Sequence, residues 1–268
     1  MRANKRLGQH FLSDPAILAR IVDALEPVPG ETVIEIGPGE GGLTRELLAR
    51  GVRVIAVEKD RQLAADLDVW RAARGVDQLS VVQGDALKLD WHALTDASVA
   101  APHAARPTPH FKIVGNIPYN ITSPLLEKAL TPPFPERIVF LVQQEVAERI
   151  AAAPGGKTYG ALSVGIQATC RVEQLFTIAP GAFRPPPKVR SALLRLTPLT
   201  EPLVAPEEAA PLRTFVTACF SKRRKQLRNA VPGATRDTLI ALGFDPQARP
   251  ETLEPAAFVR LLRWSRQL

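Results

Sequence analysis

Short runs of β-branched and aliphatic residues alternate with amphipathic stretches through the first three quarters of the chain. Between these runs, segments such as LTRELLAR and QLAADLDVWRAA place apolar residues at helical spacing. Nearly continuous apolar strands separated by amphipathic helices are typical of a parallel sheet that is covered on both faces. The pattern therefore predicts an α/β fold with a doubly wound sheet. The predicted strands are ETVIEIG (31–37), RVIAVE (53–58), LSVVQ (79–83), FKIVGNI (111–117) and RIVFLVQ (137–143).

The pattern changes near residue 200. The segment TPLTEPLVAPEEAAP (197–211) is rich in proline and has neither a helical nor a strand period, which indicates a linker. After it, residues 212–230 and 255–268 again carry apolar residues at helical spacing. We therefore predict a large domain over residues 1–199 and a small helical domain over residues 200–268.

One segment of the large domain, residues 91–110, is rich in alanine and proline and holds three of the four histidines. The histidine spacings of 11 and 7 residues match no metal-ligand template. The interpretation is a solvated loop between two strands, and we predict no metal site.

Composition narrows the class of protein. An apolar fraction of 46% over 268 residues supports a packed core and excludes disorder as the main state. No run approaches the roughly 20 apolar residues of a membrane helix. Cys170 and Cys219 lie far apart without a CxxC pattern, as expected of thiols in a reducing cytoplasm. We therefore expect a cytoplasmic protein. We also expect a monomer, because the sequence has no heptad repeat or apolar stripe that would indicate a dimer interface.

The net charge of +7 indicates a polyanionic partner. Residues 196–268 hold 11 basic and 7 acidic side chains, so the surplus is densest in the small domain. Charged helix faces normally mix signs, whereas a cluster of one sign favours phosphate contact. The segment from Leu212 to Ala230 contains no acid, and we predict that RNA contacts its six basic residues, Arg213, Lys222, Arg223, Arg224, Lys225 and Arg228.

A glycine-rich turn follows the first predicted strand. Gly37, Gly39 and Gly42 satisfy the dinucleotide pattern GxGxxG, and Glu58 follows Gly39 by 19 residues at the end of the next strand. Glycines here allow close approach of a ligand, and the helix that follows presents free backbone N–H groups. This pattern alone fits both a nicotinamide dinucleotide and S-adenosylmethionine.

Two carboxylates favour S-adenosylmethionine over the dinucleotide. Glu35 precedes the first glycine by two residues, where it could neutralise an ammonium group and would repel a pyrophosphate. Asp85, after the third strand, can accept a hydrogen bond from the adenine amine. We therefore predict a pocket for adenosine that carries a cationic amino-acid tail.

The fourth strand ends in Asn116-Ile117-Pro118-Tyr119. The Asn116 side-chain oxygen and the Pro118 carbonyl can hold the two hydrogens of an adenine amino group, so that its nitrogen pyramidalises toward a sulfonium methyl. Tyr119 can stack on the base, a contact worth roughly 1–3 kcal/mol. Catalysis would then rest on proximity and orientation, without a general base before the attack. Asn-x-Pro-Tyr as a simple strand cap is the alternative for these residues.

Seven segments together resemble the ribosomal RNA adenine N6,N6-dimethyltransferases of the KsgA type. The combination of the GQHFL arm, NIPY and FxPxPxVxS is the specific part of this resemblance. The segments are KRLGQHFL (5–12), VIEIGPGEGGLT (33–44), VIAVEKD (54–60), GDAL (84–87), NIPYNIT (116–122), FRPPPKVRSALLRL (183–196) and FSKRRKQLRN (220–229).

The resemblance implies a role for each matching residue. An N-terminal arm around Gln9, His10 and Leu12 would close over the cofactor, although many family members have Asn at the position of His10. The remaining assignments are Gly37 and Gly39 to the methionine portion, Glu58 to the ribose, Asp85 to the adenine, Asn116 to cofactor and target base, and Phe183 to stacking opposite Tyr119. From the residues alone, Phe183 is more readily interpreted as a core residue.

The implied fold is a Rossmann-like S-adenosylmethionine-dependent methyltransferase sheet with a small C-terminal helical domain. The implied activity is dimethylation of N6 on two adjacent adenosines near the 3′ end of 16S rRNA, within the small ribosomal subunit and as part of its biogenesis. Resistance methylases of large-subunit rRNA share the arm, the glycine turn and NIPY, so an adenine there is the alternative substrate. A ribosome-assembly factor with a vestigial site and a nicotinamide-dependent oxidoreductase are the alternative functions.

Overall fold

The computed structural model describes residues 9–98 and 111–267 of the chain. The described residues form two compact units. The first unit falls within Met1–Gln144 and Glu173–Thr197, and the second within Glu145–Val172 and Pro198–Leu268. The predicted division at residue 200 differs from this arrangement, because residues 145–172 group with the C-terminal residues.

A seven-stranded sheet forms the centre of the first unit. Its order is β4-β3-β2-β5-β6-β9-β7, with β2 to β6 paired in parallel and β9 antiparallel to β6. The chain runs outward in opposite directions from β2 and β5, and ligands of open α/β sheets bind at such a switch point. The strands are β1 (Phe11–Leu12), β2 (Thr32–Ile36), β3 (Arg53–Glu58), β4 (Leu79–Gln83), β5 (Phe111–Asn116), β6 (Arg137–Gln143), β7 (Cys170–Ile178), β8 (Phe183–Arg184) and β9 (Ser191–Pro198).

Helices cover both faces of the sheet, which is why all five residues of β2 are buried. The first helix shows how the sequence sets a boundary: Asp14 accepts hydrogen bonds from the N–H groups of Ala16 and Ile17, and Pro15 opens the helix. The helices before residue 130 are α1 (Pro15–Leu25), α2 (Gly42–Ala49), α3 (Arg61–Ala73), α4 (Trp91–Ser98) and α5 (Thr122–Ala129).

The segment 91–110 is in part a helix, so the prediction of a loop is wrong for residues 91–98. The Asp90 carboxylate accepts hydrogen bonds from the N–H groups of His92 and Ala93, and buried Trp91 donates its indole N–H to the carbonyl of Ala86. These hydrogen bonds stabilise the start of a helix whose apolar spacing alone was too weak to predict it. The rest of the segment, with two of its histidines, lies outside the described residues.

The second unit packs helices around its own apolar cluster, which includes Val164, Leu212, Val216 and Phe258. Val164 lies before the predicted boundary, and its contacts explain why residues 145–172 belong here. Val204, in the predicted linker, is also buried in this cluster. The later helices are α6 (Gln144–Ala151), α7 (Ala161–Gln167), α8 (Ala209–Ser221), α9 (Leu227–Ala230), α10 (Arg236–Ala241) and α11 (Pro255–Ser265).

Within residues 9–98 and 111–267, no helix combines the length and hydrophobicity that a bilayer span requires. The same residues contain no group of three or more His, Cys, Asp or Glu side chains that could hold a metal ion. Cys170 and Cys219 are free thiols, and burial raises the pKa of each to about 12.

Candidate active site

A cavity in the first unit opens where β2, β3, β4 and β5 end, with the N-terminal arm on one side. Eight of the predicted site residues line it: His10, Gly37, Gly39, Glu58, Asp85, Asn116, Pro118 and Tyr119. Parallel strands bring their carboxyl ends to one edge of a sheet, which is why residues far apart in the chain meet here.

The glycine turn permits the arm to approach closely. Gly39 has a φ of 56°, a left-handed conformation that glycine adopts without strain. A side chain at Gly39 would also begin 2.9 Å from the ring of Phe11 in the arm. Any larger residue at this position would therefore displace the arm or the turn.

Glu58 fixes the turn from the end of β3. One of its carboxylate oxygens accepts from the N–H of Gly39 at 3.1 Å, and the other accepts from the N–H of Asp60 at 2.8 Å. The side chain is buried, and burial raises its pKa while the backbone hydrogen bonds oppose that rise. Glu58 therefore lines the cavity as a rigidly held acceptor.

Glu35 does not line this cavity, contrary to the sequence prediction. It lines a second cavity beside the first, and the two share Phe11, Gly37 and Asn116. Glu35 is 1% exposed and accepts a hydrogen bond from the Thr44 hydroxyl at 2.6 Å. Burial, with a contribution from nearby Glu58, raises its pKa to about 8. Glu35 is therefore mostly protonated at neutral pH, and in this arrangement it offers no full negative charge to an ammonium group.

Asp85 also lines the cavity, and it has a hydrogen-bond partner that the sequence did not reveal. Lys59 donates to one carboxylate oxygen at 2.9 Å, and the N–H of Leu87 donates to the other at 3.0 Å. The hydrogen bond from Lys59, supported by the one from Leu87, lowers the pKa of Asp85 and keeps it ionised. Lys59 itself lines the cavity, directly after Glu58 in the VEKD segment.

Asn116, the last residue of β5, presents a defined side-chain face to the cavity. Its Nδ2 donates to the backbone carbonyl of His10 at 2.7 Å, so Oδ1 is the amide atom with acceptor capacity for a ligand. Tyr119 follows in a tight turn, and its hydroxyl shares a hydrogen bond of 2.7 Å with Ser191. Burial raises the pKa of Tyr119 and leaves it a neutral aromatic surface.

The N-terminal arm is held by the FRPPPKVRS segment. In the pairing of β1 with β8, Phe11 lies opposite Arg184 and Leu12 opposite Phe183. His10 Nδ1 donates to the carbonyl of Pro185 at 2.7 Å, which gives its side chain a protein partner. Sequence reasoning placed this segment at the site but missed Pro185 and Ser191 as the groups that hold His10 and Tyr119.

Phe183 and Leu12 occupy different places from those predicted. Phe183 is 2% exposed and belongs to the apolar core of the first unit. Leu12 packs against the same core and lines the second cavity instead of the first. The interpretation of Phe183 from the residues alone, as a core residue, agrees with the structure better than the role carried over from the resemblance.

The six basic residues of the second unit divide into two groups. Arg223 contacts the Glu251 carboxylate at 3.4 Å and donates to the Gly156 carbonyl at 3.2 Å, so it is committed within its own unit. Arg213 is half-buried, with its aliphatic stem beside Gly165. The exposed members are Lys222, Arg224, Lys225 and Arg228.

Comparison with known proteins connects this geometry to a chemistry. A family model described as ribosomal RNA adenine dimethylase matches residues 1–267. The ribosomal RNA small subunit methyltransferase A of Acidithiobacillus ferrooxidans is 45% identical over 262 residues, covering 97% of this chain and 93% of the relative. The protein of the same name from Pseudomonas aeruginosa is 42% identical over 263 residues, with the same coverage of 97% and 93%.

Solved structures agree with these matches. A dimethyladenosine transferase from Plasmodium falciparum matches with a TM-score of 0.76 and 26% identity, over 96% of this chain and 98% of the other. The 23S rRNA methyltransferase ErmE matches with a TM-score of 0.69 and 29% identity, over 94% and 98%. The predicted methyltransferase fold and the predicted enzyme class are thereby confirmed. The match runs along nearly the whole chain, and the chain belongs to the ribosomal RNA adenine dimethylase family.

Proposed function

We propose that this enzyme uses S-adenosylmethionine to place two methyl groups on N6 of each of two adjacent adenosines near the 3′ end of 16S rRNA. The substrate in this proposal is the small ribosomal subunit, and the modification is a step in its biogenesis. The observation that carries the proposal is the position of Asn116, Pro118 and Tyr119 on the wall of a cavity that also holds two acceptor carboxylates. Cytoplasmic location and action as a monomer complete the proposal.

The residues of the cavity fit S-adenosylmethionine. Glu58 offers a fixed acceptor for ribose hydroxyls, and ionised Asp85 offers one for the adenine amine. Gly37 and Gly39 line the same cavity, and a Cβ at Gly39 would crowd the Phe11 ring of the arm. When bound, the cofactor supplies an electrophilic methyl group on a sulfonium.

The chain's own residues would position the amine that accepts the methyl group. The Asn116 Oδ1 atom and the Pro118 carbonyl accept hydrogen bonds from the two amine hydrogens, which localises the nitrogen lone pair. Tyr119 fixes the plane of the base. Alignment of two reactants in this way can contribute ~7–11 kcal/mol to lowering a barrier. A second transfer needs the same acceptors to tolerate a nitrogen that already carries one methyl group.

RNA contact is assigned to the exposed basic residues of the second unit, Lys222, Arg224, Lys225 and Arg228. Four exposed cations within seven residues favour phosphate contacts, which position a protein on RNA without reading sequence. Choice of the target would then depend on RNA shape and on an adenine turned out of its stack.

Methylation of isolated ribosomal subunits tests this proposal. Purified protein is incubated with methyl-labelled S-adenosylmethionine and small subunits that lack the modification, and digested rRNA is analysed by mass spectrometry for N6-dimethyladenosine. Up to four methyl groups per subunit are expected. Large subunits incubated in parallel test the alternative substrate that the likeness to ErmE suggests. Absence of dimethyladenosine from the small subunit would contradict the proposal.

Two controls separate the alternative functions. A rise in melting temperature with S-adenosylmethionine but not with nicotinamide dinucleotides argues against an oxidoreductase. The Asn116→Ala variant tests an assembly role without catalysis: if methylation is lost while subunit assembly is still supported, binding contributes on its own. Loss of both would tie the role in biogenesis to the chemistry.

A further inference from the structure

Lys59 places a positive charge on the cavity wall, beside the carboxylate assigned to the adenine amine. Its Nζ atom donates to Asp85 Oδ2 at 2.9 Å, and both residues line the cavity. The Asp85 side chain is 21% exposed and that of Lys59 is 56% exposed. The ion pair therefore lies where the cavity meets solvent, and a ligand in the cavity would reduce its contact with water.

The backbone around Lys59 is held on both sides. Glu58 Oε1 accepts from the N–H of Asp60 at 2.8 Å, and Asp60 caps helix α3. The carbonyl of Lys59 accepts from the side chain of Gln83, at the end of β4, at 3.4 Å. Because the backbone is fixed in this way, only side-chain freedom is lost when the ammonium group pairs with Asp85.

Asp85 retains acceptor capacity while it is paired. Its Oδ2 atom accepts from Lys59, and its Oδ1 atom accepts from the N–H of Leu87 at 3.0 Å. An ionised carboxylate has about four lone-pair sites, so two remain for a ligand. Donors on both oxygens restrict rotation of the carboxylate, and the remaining sites therefore point in defined directions.

We propose that Lys59 is a positioning residue for the purine of the cofactor, because its hydrogen bond to Asp85 fixes the acceptor that receives the 6-amino group. This inference rests on the proposed function, which assigns the adenine of S-adenosylmethionine to Asp85. Lys88 offers a comparison, since it is exposed and acts on the Asp85 carboxylate through its charge. Either lysine attracts the carboxylate, but the hydrogen-bonded one also sets its direction.

Calorimetry of the full-length protein tests the proposal without methyl transfer. The ligands are S-adenosylhomocysteine and its analogue whose purine lacks the 6-amino group. Lys59→Met keeps an apolar stem and removes the ammonium group, Lys59→Arg restores a cation, and Lys88→Met is the matched control. We expect Lys59→Met to weaken S-adenosylhomocysteine binding by ~2–5-fold, the range for an ion pair open to solvent. The deamino analogue should bind Lys59→Met and the parent equally, and Lys59→Arg and Lys88→Met should behave as the parent.

Asp85→Ala shows whether Lys59 acts through the carboxylate. Loss of a hydrogen bond to a charged acceptor should weaken S-adenosylhomocysteine binding by ~10–100-fold and remove the preference over the deamino analogue. Adding Lys59→Met to Asp85→Ala should then have no further effect, because the partner of the ammonium group is already absent. A further loss as large as that in the parent background would show that Lys59 acts independently of Asp85, and it would overturn the proposal.

Steady-state methylation of small subunits gives a second measurement. In Lys59→Met, KM for S-adenosylmethionine should rise by the same ~2–5-fold, with kcat unchanged at saturating cofactor. Equal weakening of both ligands by Lys59→Met, or equal losses in Lys59→Met and Lys88→Met, would refute the positioning role alone. Failure of the parent to bind S-adenosylhomocysteine would instead contradict the proposed function and the inference together.

Discussion

The two units hold the charged side chains of their candidate sites in opposite ways. In the first unit, Glu58 is 5% exposed, and its carboxylate is fixed by hydrogen bonds from the N–H groups of Gly39 and Asp60. In the second, Lys222, Arg224 and Lys225 project into solvent. A cofactor and a reacting amine need acceptors at fixed positions, whereas phosphates along an RNA backbone need only a density of positive charge. Single changes should therefore have large effects in the first unit and small, additive effects in the second.

The largest effect is expected for Asn116→Ala. Removal of one positioned hydrogen-bonding group from an active site typically costs ~10²–10³ in rate, and the amine would lose its side-chain acceptor. The rate of methyl transfer to small subunits at saturating cofactor measures this. Calorimetry with S-adenosylmethionine should show a much smaller loss of affinity, because Glu58 and the glycine turn remain.

Asn116→Asp separates the acceptor function of this side chain from its donor function. It retains an acceptor oxygen but loses the donor to the His10 carbonyl. An activity as low as that of Asn116→Ala would mean that orientation by the arm matters as much as the acceptor. Near-parental activity in Asn116→Ala would contradict the role assigned to Asn116, whereas near-parental activity in Asn116→Asp would mean that the acceptor oxygen suffices without the hydrogen bond to the arm.

Glu35 gives the largest expected effect on stability. Its folded pKa of about 8 lies above the ordinary value of 4.5, so the folded state binds the proton more tightly than the unfolded state. Its contribution is fully favourable below pH 4.5 and is lost as the pH rises to about 8, with a slope of at most about 1.4 kcal/mol per pH unit. Glu35→Gln removes this dependence.

Urea unfolding of cofactor-free protein from pH 5 to pH 9 measures the effect. The stability of Glu35→Gln relative to the parent should rise from pH 5 to about pH 8 and level off above it. Glu40→Gln changes an exposed acid in the same turn and should follow the parent at each pH. Parallel curves for Glu35→Gln and the parent would show that Glu35 keeps an ordinary pKa.

The sequence predicted those structural features that depend on residues close together in the chain. Strands β2 to β6 were predicted because each is a short apolar run, and all but β4 are buried along most of their length. Strand β9 was missed because it follows the Pro-rich FRPPPKVR segment, and β7 because most of its residues are only partly buried or exposed. The predicted domain boundary near residue 200 differs from the observed grouping because no local pattern in residues 145–172 indicates that they group with the later helices.

The site follows the same rule. Glu58, Asp85 and Asn116 each end or follow a strand, so their meeting at one edge of the sheet was predictable. The contact of His10 with Tyr119 and the burial of Phe183 depend on the pairing of β1 with β8, which joins segments distant in the chain. A short stretch of sequence carries no signal for the pairing of β1 with β8.

The second unit should respond to the number of charges removed. Replacement of Lys222, Arg224, Lys225 and Arg228 by Gln should weaken binding to small subunits at low salt. It should also reduce the slope of log K against log salt by ~0.7–0.9 for each phosphate that the variant no longer neutralises. Binding measured over a series of KCl concentrations tests this, with exposed Arg236→Gln as the control. A parental slope in the quadruple variant would remove this segment from the RNA interface.

The smallest effects distinguish two adjacent arginines. Arg224 is exposed, so Arg224→Gln should lower the salt slope by no more than the value for one phosphate and leave the melting temperature unchanged. Arg223 is held by Glu251 and the Gly156 carbonyl, so Arg223→Gln should reduce unfolding free energy by ~0.5–1 kcal/mol and leave the salt slope unchanged. If both variants altered the slope equally, the ion pair with Glu251 would have to open on RNA binding, and the division of the segment into internal and RNA-facing cations would fail.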